Sequence, residues 1–424
     1  MTEPLTIREQ ILWARRRFIA MALTYFLGVF NDNFFKQAVL LLAVAIGMNE
    51  VQGQATMLFS LPFILFSAWG GWLADRFAKK RVVIGVKFLE LAAMLIGAYG
   101  ILTMNWNCVL AMVFLMGLQS TLFGPALNGA IPELYPREYV TRANALLKLV
   151  TTVAILLGMA LAGFALDQHW FATSIPFGRV LVAAVVVMIG LMGVTASFGV
   201  FSRAASGSKT PFPWTGPLNS IRDLVLLKKD PLLLLAICCD SFFYFISLLA
   251  VLVINTLGLQ QLGLSSSATS ILSVSLMVGV CIGSLVAARI TSHEQWTHVL
   301  LPGAAGMGIS LAATGLLVSY GNSQQFLILL VLLIMAGTFG GLFLIPVTSF
   351  IQVRPKADSK GRIISVDNFL AFSCMLLAGM VFPMLDNRLQ PSQSMLLLGI
   401  VSMLAAGMIW FALRSVVLII EEQR

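Results

Sequence analysis

The chain has 424 residues, 59 % of them hydrophobic and only 11 % charged, with a formal net charge of +9 and a mean hydropathy of +0.93. Ordinary soluble domains carry about 25 % charged residues, so this composition excludes a soluble globular protein and describes one that crosses a membrane repeatedly. The positive charge does not point to nucleic acid, because it sits in loops beside apolar runs, where it sets orientation.

The chain opens polar, then basic (Arg15, Arg16, Arg17), and offers no small-residue cleavage site before the first long apolar run; no cleavable signal is expected. Residues Ile7 to Arg17 read as a short basic helix on the lipid surface or as a flexible tail. The first span, about 18–46, is long enough to cross a bilayer as one tilted helix. Its middle nevertheless carries Asn31, Asp32, Asn33, Lys36 and Gln37. A charge at a helix centre costs roughly 3 kcal/mol on insertion scales. Asp32 and Lys36 are four residues apart, so one face presents both. They form either a self-neutralising structural couple or one wall of a substrate path. The second reading is preferred because a similar face recurs later in the chain.

Eleven further spans follow, at about 54–74, 82–104, 107–127, 143–166, 178–200, 232–257, 268–290, 298–320, 325–349, 363–385 and 394–414. Twelve crossings put both termini on one side. Loops on that side hold 22 Lys or Arg residues, and the opposite loops hold two, Arg179 and Arg388. The other three, Lys36, Lys87 and Lys148, lie in spans. This asymmetry predicts cytoplasmic termini. The longest polar break, Ser202–Pro231, follows the sixth span and contains Pro211, Pro213, Gly216 and Pro217. It reads as a linker, with a short surface helix around Leu218–Leu227. The expected organisation is a cytoplasmic segment 1–17, a bundle 18–201, a cytoplasmic linker 202–231, a second bundle 232–416 and a cytoplasmic tail 417–424.

The two halves echo each other. Asp32-Asn-Phe-Phe-Lys36 is matched by Asp240-Ser-Phe-Phe-Tyr244, Gly71-Trp-Leu-Ala-Asp75 by Gly283-Ser-Leu-Val-Ala287, and Pro125 by Pro346. Six-plus-six parallel repeats, with substrate held near the midplane, are one architecture of secondary transporters.

The loop Gly71-Trp-Leu-Ala-Asp75-Arg76-Phe-Ala-Lys79-Lys80-Arg81 strongly resembles the signature between helices 2 and 3 of the major facilitator superfamily. In that family the loop latches the two halves in the outward-facing state. Here Gly71 would permit close helix approach, and Asp75 would accept charge-assisted hydrogen bonds. Ala78 stands where a glycine is usual. A closer resemblance is to the lysophospholipid transporter branch, LplT-like proteins of bacterial inner membranes. It is carried by Phe30-Asn-Asp32-Asn33, by Ala74-Asp-Arg-Phe-Ala-Lys79-Lys-Arg81, by Ala143-Asn144 through Gly158, and by Leu262-Gly-Leu-Ser265 through Arg289.

The resemblance implies an all-α membrane protein of twelve transmembrane helices in two pseudo-symmetric six-helix bundles. It further implies a flippase that moves lysophospholipids from the outer to the inner leaflet by alternating access, for re-acylation by a cytoplasmic acyltransferase. The partners expected are the lysophospholipid, membrane lipids and that acyltransferase, with the chain acting as a monomer. No cofactor, metal or nucleic acid is expected.

The family pattern is not matched everywhere. It places a lysine where Glu90 stands and a glutamate where Lys148 stands; the exchanged signs suggest that Glu90 and Lys148 meet as a structural or gating ion pair. It also carries a lysine at the position of Leu127, which leaves Lys36, Lys87 and Lys148 as candidates to grip a phosphate, unless Lys87 snorkels to the cytoplasmic side. Asp240 has no basic neighbour on its own helix. It is read as a partner of Lys36 or Lys148, as a contact for a cationic headgroup, or as a protonatable group. Asp367-Asn368 aligns with a Gln-Asn pair of the family. The expected substrate contacts are thus Asn31, Asp32, Lys36, Lys148, Asp240, Asp367 and Asn368. Gly71, Asp75, Arg76, Lys79, Arg81, Glu90 and Lys148 are expected to gate or support.

The five cysteines fall in apolar segments without metal-ligand spacing and read as small hydrophobes. The three histidines form no metal set, and no phosphate-cradling loop or nucleophile-base pair is present, so neither ATP-driven transport nor catalysis is expected. Abundant Phe and Met would suit acyl chains but equally suit a lipid-facing surface. Two rival functions are proton-coupled efflux of hydrophobic drugs or organic cations, and a non-transporting membrane partner of a lipid acyltransferase.

Overall fold

Apolar runs in a bilayer must satisfy every backbone polar group internally, which leaves helices as the form open to this chain. The computed structural model describes residues 7–128, 130–135, 137–170, 174–200, 211–290, 296–320, 325–355 and 360–422. Within them lie α1 (Ile7–Ala45), α2 (Glu50–Arg76), α3 (Lys79–Thr103), α4 (Trp106–Asn128), α5 (Ile131–Leu134), α6 (Arg137–Leu166) and α7 (Phe177–Ser197). They are followed by α8 (Gly216–Leu226), α9 (Pro231–Thr256), α10 (Ser266–Ile290), α11 (Leu300–Tyr320), α12 (Phe326–Val353), α13 (Lys360–Asp386) and α14 (Pro391–Glu422). Among the described residues twelve helices are long and apolar enough to cross a membrane. Each expected span coincides with one of them to within a few residues. Ser202–Thr210 of the linker, Gly129, His293 and Lys356 lie outside the described residues.

Local chemistry marks the helix ends. Met104, with φ of 55°, turns left-handed after α3 and gives its N–H to the Gly100 carbonyl. Asn105 then accepts from the Asn107 and Cys108 N–H groups at 3.1 and 3.3 Å and starts α4. Asp230 caps α9, accepting from Leu233 N–H at 3.2 Å ahead of Pro231, as expected of an acidic N-cap before an N1 proline. Gly47 and Gly263 adopt positive φ in the turns after α1 and before α10, where a side chain would be strained. The basic segment before the first span is not a separate surface helix: Ile7–Arg17 continues directly into α1.

The chain forms two compact units. The first comprises Met1–Val39 and Leu58–Gly216, and the second Leu40–Met57 and Pro217–Arg424. In the first, α3 packs on α4 and α7. An apolar core built from α1, α3, α4, α5 and α6 gathers Phe18, Phe123, Leu127, Leu134, Tyr135 and Leu147. In the second, α10 packs on α12, α11 on α12 and α14, and α9 on α13.

Small residues let helix backbones meet, and the same pattern recurs inside both units. In the first, a Cβ on Gly70 would stand 2.5 Å from the Thr121 carbonyl, and one on Gly117 would run into the Phe59 carbonyl. In the second, Gly283 faces the Thr338 carbonyl and Gly337 the Leu276 carbonyl in the same way, with Gly279 and Gly341 completing the seam between α10 and α12. Dispersion between closely approaching backbones replaces the hydrophobic drive that lipid cannot supply. The repeat seen in the sequence is therefore a repeated packing scheme. Its glycine in the first half is Gly70, because a Cβ on Gly71 would meet open space.

Candidate functional site

The first unit contains a polar cluster on α1, α3 and α4, embedded in apolar helix. Asp32, 9 % exposed, accepts from Gln119 Nε2 at 3.2 and 3.1 Å through its two oxygens and from Ser120 Oγ at 2.7 Å. The self-neutralising couple, the less favoured of the two readings, is not what forms: helix α4 holds the Asp32 carboxylate. Lys36 places its ammonium 4.7 Å from the centre of the Phe59 ring, a cation–π contact that keeps the charge available. Asn31 is fully buried and donates to the Val186 carbonyl on α7 at 3.1 Å. Its Oδ1 has no hydrogen-bond partner among the described residues. Gly158 allows α6 to approach α1 here, since a Cβ would lie 2.8 Å from the Phe30 carbonyl oxygen.

Glu90 does not pair with Lys148. Its carboxylate accepts from Lys87 Nζ at 2.6 Å within α3, and the two side chains are 0 % and 1 % exposed. Lys87 thus does not snorkel; its ammonium also lies 5.0 Å from the Phe123 ring centre. One turn of helix brings i and i+3 together, and an unpaired charge at this depth would be costly, so the local pair wins. Lys148 is exposed on α6. Leu127, where the resembling family has a lysine, is fully buried in the apolar core, so no phosphate contact arises at that position.

In the second unit Asp240 on α9 is 2 % exposed and accepts from Thr348 Oγ1 on α12 at 3.0 Å. Asp367 on α13 is buried, and its Oδ1 has no hydrogen-bond partner among the described residues. The adjacent Asn368 is exposed. A second polar set in this unit joins the end of α1 and the start of α2 to α9 and α13. Asn49 Nδ2 donates to Gln260 Oε1 at 2.9 Å and to Asp386 Oδ2 at 2.8 Å. Asn255 Nδ2 donates to Gln52 Oε1 at 2.9 Å, with both side chains fully buried. Gly53 lies against the Gly379 backbone.

In the loop between α2 and α3, Asp75, Arg76 and Arg81 are exposed. Arg76 stacks 5.2 Å from the Trp72 ring centre, and Lys80 donates to the Phe198 carbonyl at 2.7 Å. The sequence reading missed Gln119, Ser120, Thr348 and the network around Asn49. The signal was present: amide and hydroxyl side chains inside spans are as informative as charges, because they too need partners in hydrocarbon.

Buried charges anchored inside twelve membrane-crossing helices define a polytopic transporter. Residues 21–379 match the family model described as the Major Facilitator Superfamily, and the chain belongs to that family. It is 26 % identical over 365 residues to the lysophospholipid transporter LplT of Serratia proteamaculans, covering 85 % of this chain and 86 % of that one. It is likewise 26 % identical over 364 residues to LplT of Yersinia pestis, covering 85 % and 84 %. Among solved structures, a bacterial homologue of the iron transporter ferroportin superposes with a TM-score of 0.74 at 14 % identity, over 94 % of this chain and 98 % of that one. A D-xylose-proton symporter does so with a TM-score of 0.72 at 14 % identity, over 94 % and 97 %. At such identity these likenesses show the fold alone.

Proposed function

We propose that the protein moves lysophospholipids across the bacterial inner membrane, from the outer to the inner leaflet, by an alternating-access cycle. The observation that carries this reading is the match along 85 % of the chain to transporters named for that lipid class. The polar cluster of the first unit supports it chemically. Asp32 is anchored by Gln119 and Ser120, and Lys36 stands four residues on along α1. An anionic and a cationic group at that helical spacing suit a zwitterionic headgroup, its amine at Asp32 and its phosphate at Lys36. Asn31 offers its unpaired Oδ1 beside them.

Asp240, Asp367 and Asn368 serve in the second unit as further headgroup contacts or as proton carriers. Exposed Lys148 collects the anionic headgroup by electrostatic attraction. The loop carrying Gly71, Asp75, Arg76, Lys79 and Arg81 gates the cycle, and the Lys87–Glu90 pair supports the helix behind it. Both termini lie in the cytoplasm, as the basic loops favour. The chain acts as a monomer and delivers lipid to a cytoplasmic acyltransferase.

Reconstituted vesicles test this. Inward movement of labelled lysophosphatidylethanolamine, reduced in the Asp32→Asn and Lys36→Gln proteins, is the expected result. Movement of a hydrophobic cation driven by a pH gradient, without lipid movement, would replace this reading with efflux. Absence of any transport would leave a scaffold.

A further inference from the structure

Helix α8, Gly216–Leu226, crosses no membrane, and none of its residues is fully buried. Leu218, Ile221 and Val225 are 65 %, 48 % and 55 % exposed. Spaced three and four apart, they form one apolar stripe. Such a stripe cannot face water without cost.

Beside the stripe is a cleft of about 340 Å³ lined by Asn219, Arg222, Asp223, Leu226 and Arg362. Arg362, at the start of α13, lies 3.6 Å from Asp223. Arg222 takes part in none of the ion pairs among the described residues. The cleft wall thus carries two guanidiniums and one carboxylate, which leaves it net cationic. Exposed Lys228 and Lys360 flank it in sequence. An apolar stripe bordered by cations is the signature of a helix lying in an anionic lipid interface, and paired guanidiniums match a phosphate.

From this juxtaposition we infer that the cleft between α8 and α13 binds the phosphate of an anionic glycerophospholipid of the cytoplasmic leaflet, with Leu218, Ile221 and Val225 seated among its acyl chains. This lipid is a resident of the surface and not the transported substrate. The inference rests on the cytoplasmic placement of the linker proposed above, but not on which solute is carried.

Native mass spectrometry of the full-length protein in detergent, incubated with phosphatidylglycerol or phosphatidylcholine, tests it. The wild type should retain phosphatidylglycerol preferentially. The double change Arg222→Gln/Arg362→Gln should lower that preference about thirtyfold, as two basic groups beside an anionic surface would. Arg222→Lys should keep most of it, which separates lost charge from lost fold. The triple change Leu218→Ser/Ile221→Ser/Val225→Ser should reduce retention of both lipids. Equal retention by wild type and the double Gln protein would overturn the proposal. So would displacement of the lipid by inorganic phosphate alone, which would assign the cleft to a free anion. Loss of lysophospholipid transport activity with intact phosphatidylglycerol retention would sink the proposed function and leave this site standing.

Discussion

Lys87 and Glu90 neutralise each other inside α3, Nζ to Oε2 at 2.6 Å, with both side chains excluded from solvent. Gly28 on α1 makes room for the pair, since a Cβ there would stand 2.5 Å from the ammonium. Removing one member leaves a buried charge uncompensated, which typically costs about 3–5 kcal/mol. Glu90→Gln should therefore lower thermal stability in detergent sharply, and Lys87→Met/Glu90→Leu much less. The cycle closed by Lys87→Met, Glu90→Leu and the double change should show a coupling of at least about 3 kcal/mol. Exchanging the charges of Glu90 and Lys148 should recover nothing; recovery would point to a contact between those two residues instead.

Asp32 gives a different signature, because its partners are neutral. Asp32→Asn keeps the volume and can still hydrogen-bond Ser120, so folded protein should be retained. The charge-assisted bonds from Gln119 and Ser120 and the contact to a cationic amine should be weakened. Hydrogen bonds to charged groups contribute about 1.5–3 kcal/mol, so transport at low substrate should fall about ten- to hundredfold. Ser120→Ala should fall less. Initial uptake rates in vesicles decide it, and an unchanged rate would remove Asp32 from the substrate path.

The two adjacent glycines of α2 should respond oppositely to alanine. Gly70→Ala forces a methyl to within 2.5 Å of the Thr121 carbonyl, whereas Gly71→Ala meets nothing within 4 Å. Overpacking costs about 1–3 kcal/mol. Melting temperature should drop for the first variant and hold for the second, and the reverse order would contradict the packing of α2 on α4.

Gly53 tests the network at the α1–α2 turn. Its Cα faces the Gly379 carbonyl and the Pro383 ring, so Gly53→Val should disrupt packing of this turn on α13. Asn49→Ala removes the donor to Gln260 and Asp386 without a steric clash. Hydrogen–deuterium exchange of residues 46–57 should rise in both variants, more in Gly53→Val. Unchanged protection would mean that neither contact holds the turn.

The twelve spans and the polar faces of the first and seventh were legible in the sequence, as was the short helix in the linker; the N-terminal extension of α1 back to Ile7 was not. Hydropathy is a transfer property summed over neighbouring residues, so it needs no knowledge of the fold. The repeat was also visible, though placed one residue off at Gly71. What the sequence did not disclose was which groups meet. Glu90 had a lysine three residues away on its own helix and another on a different helix; Lys148 lies exposed on α6, and the one-turn pair with Lys87 forms instead. Asp32 had Lys36 on its own face, yet the register of α4 delivered Gln119 and Ser120. Charge and apolarity are local and additive, while partnership depends on the phase and crossing of packed helices, which tertiary structure alone establishes.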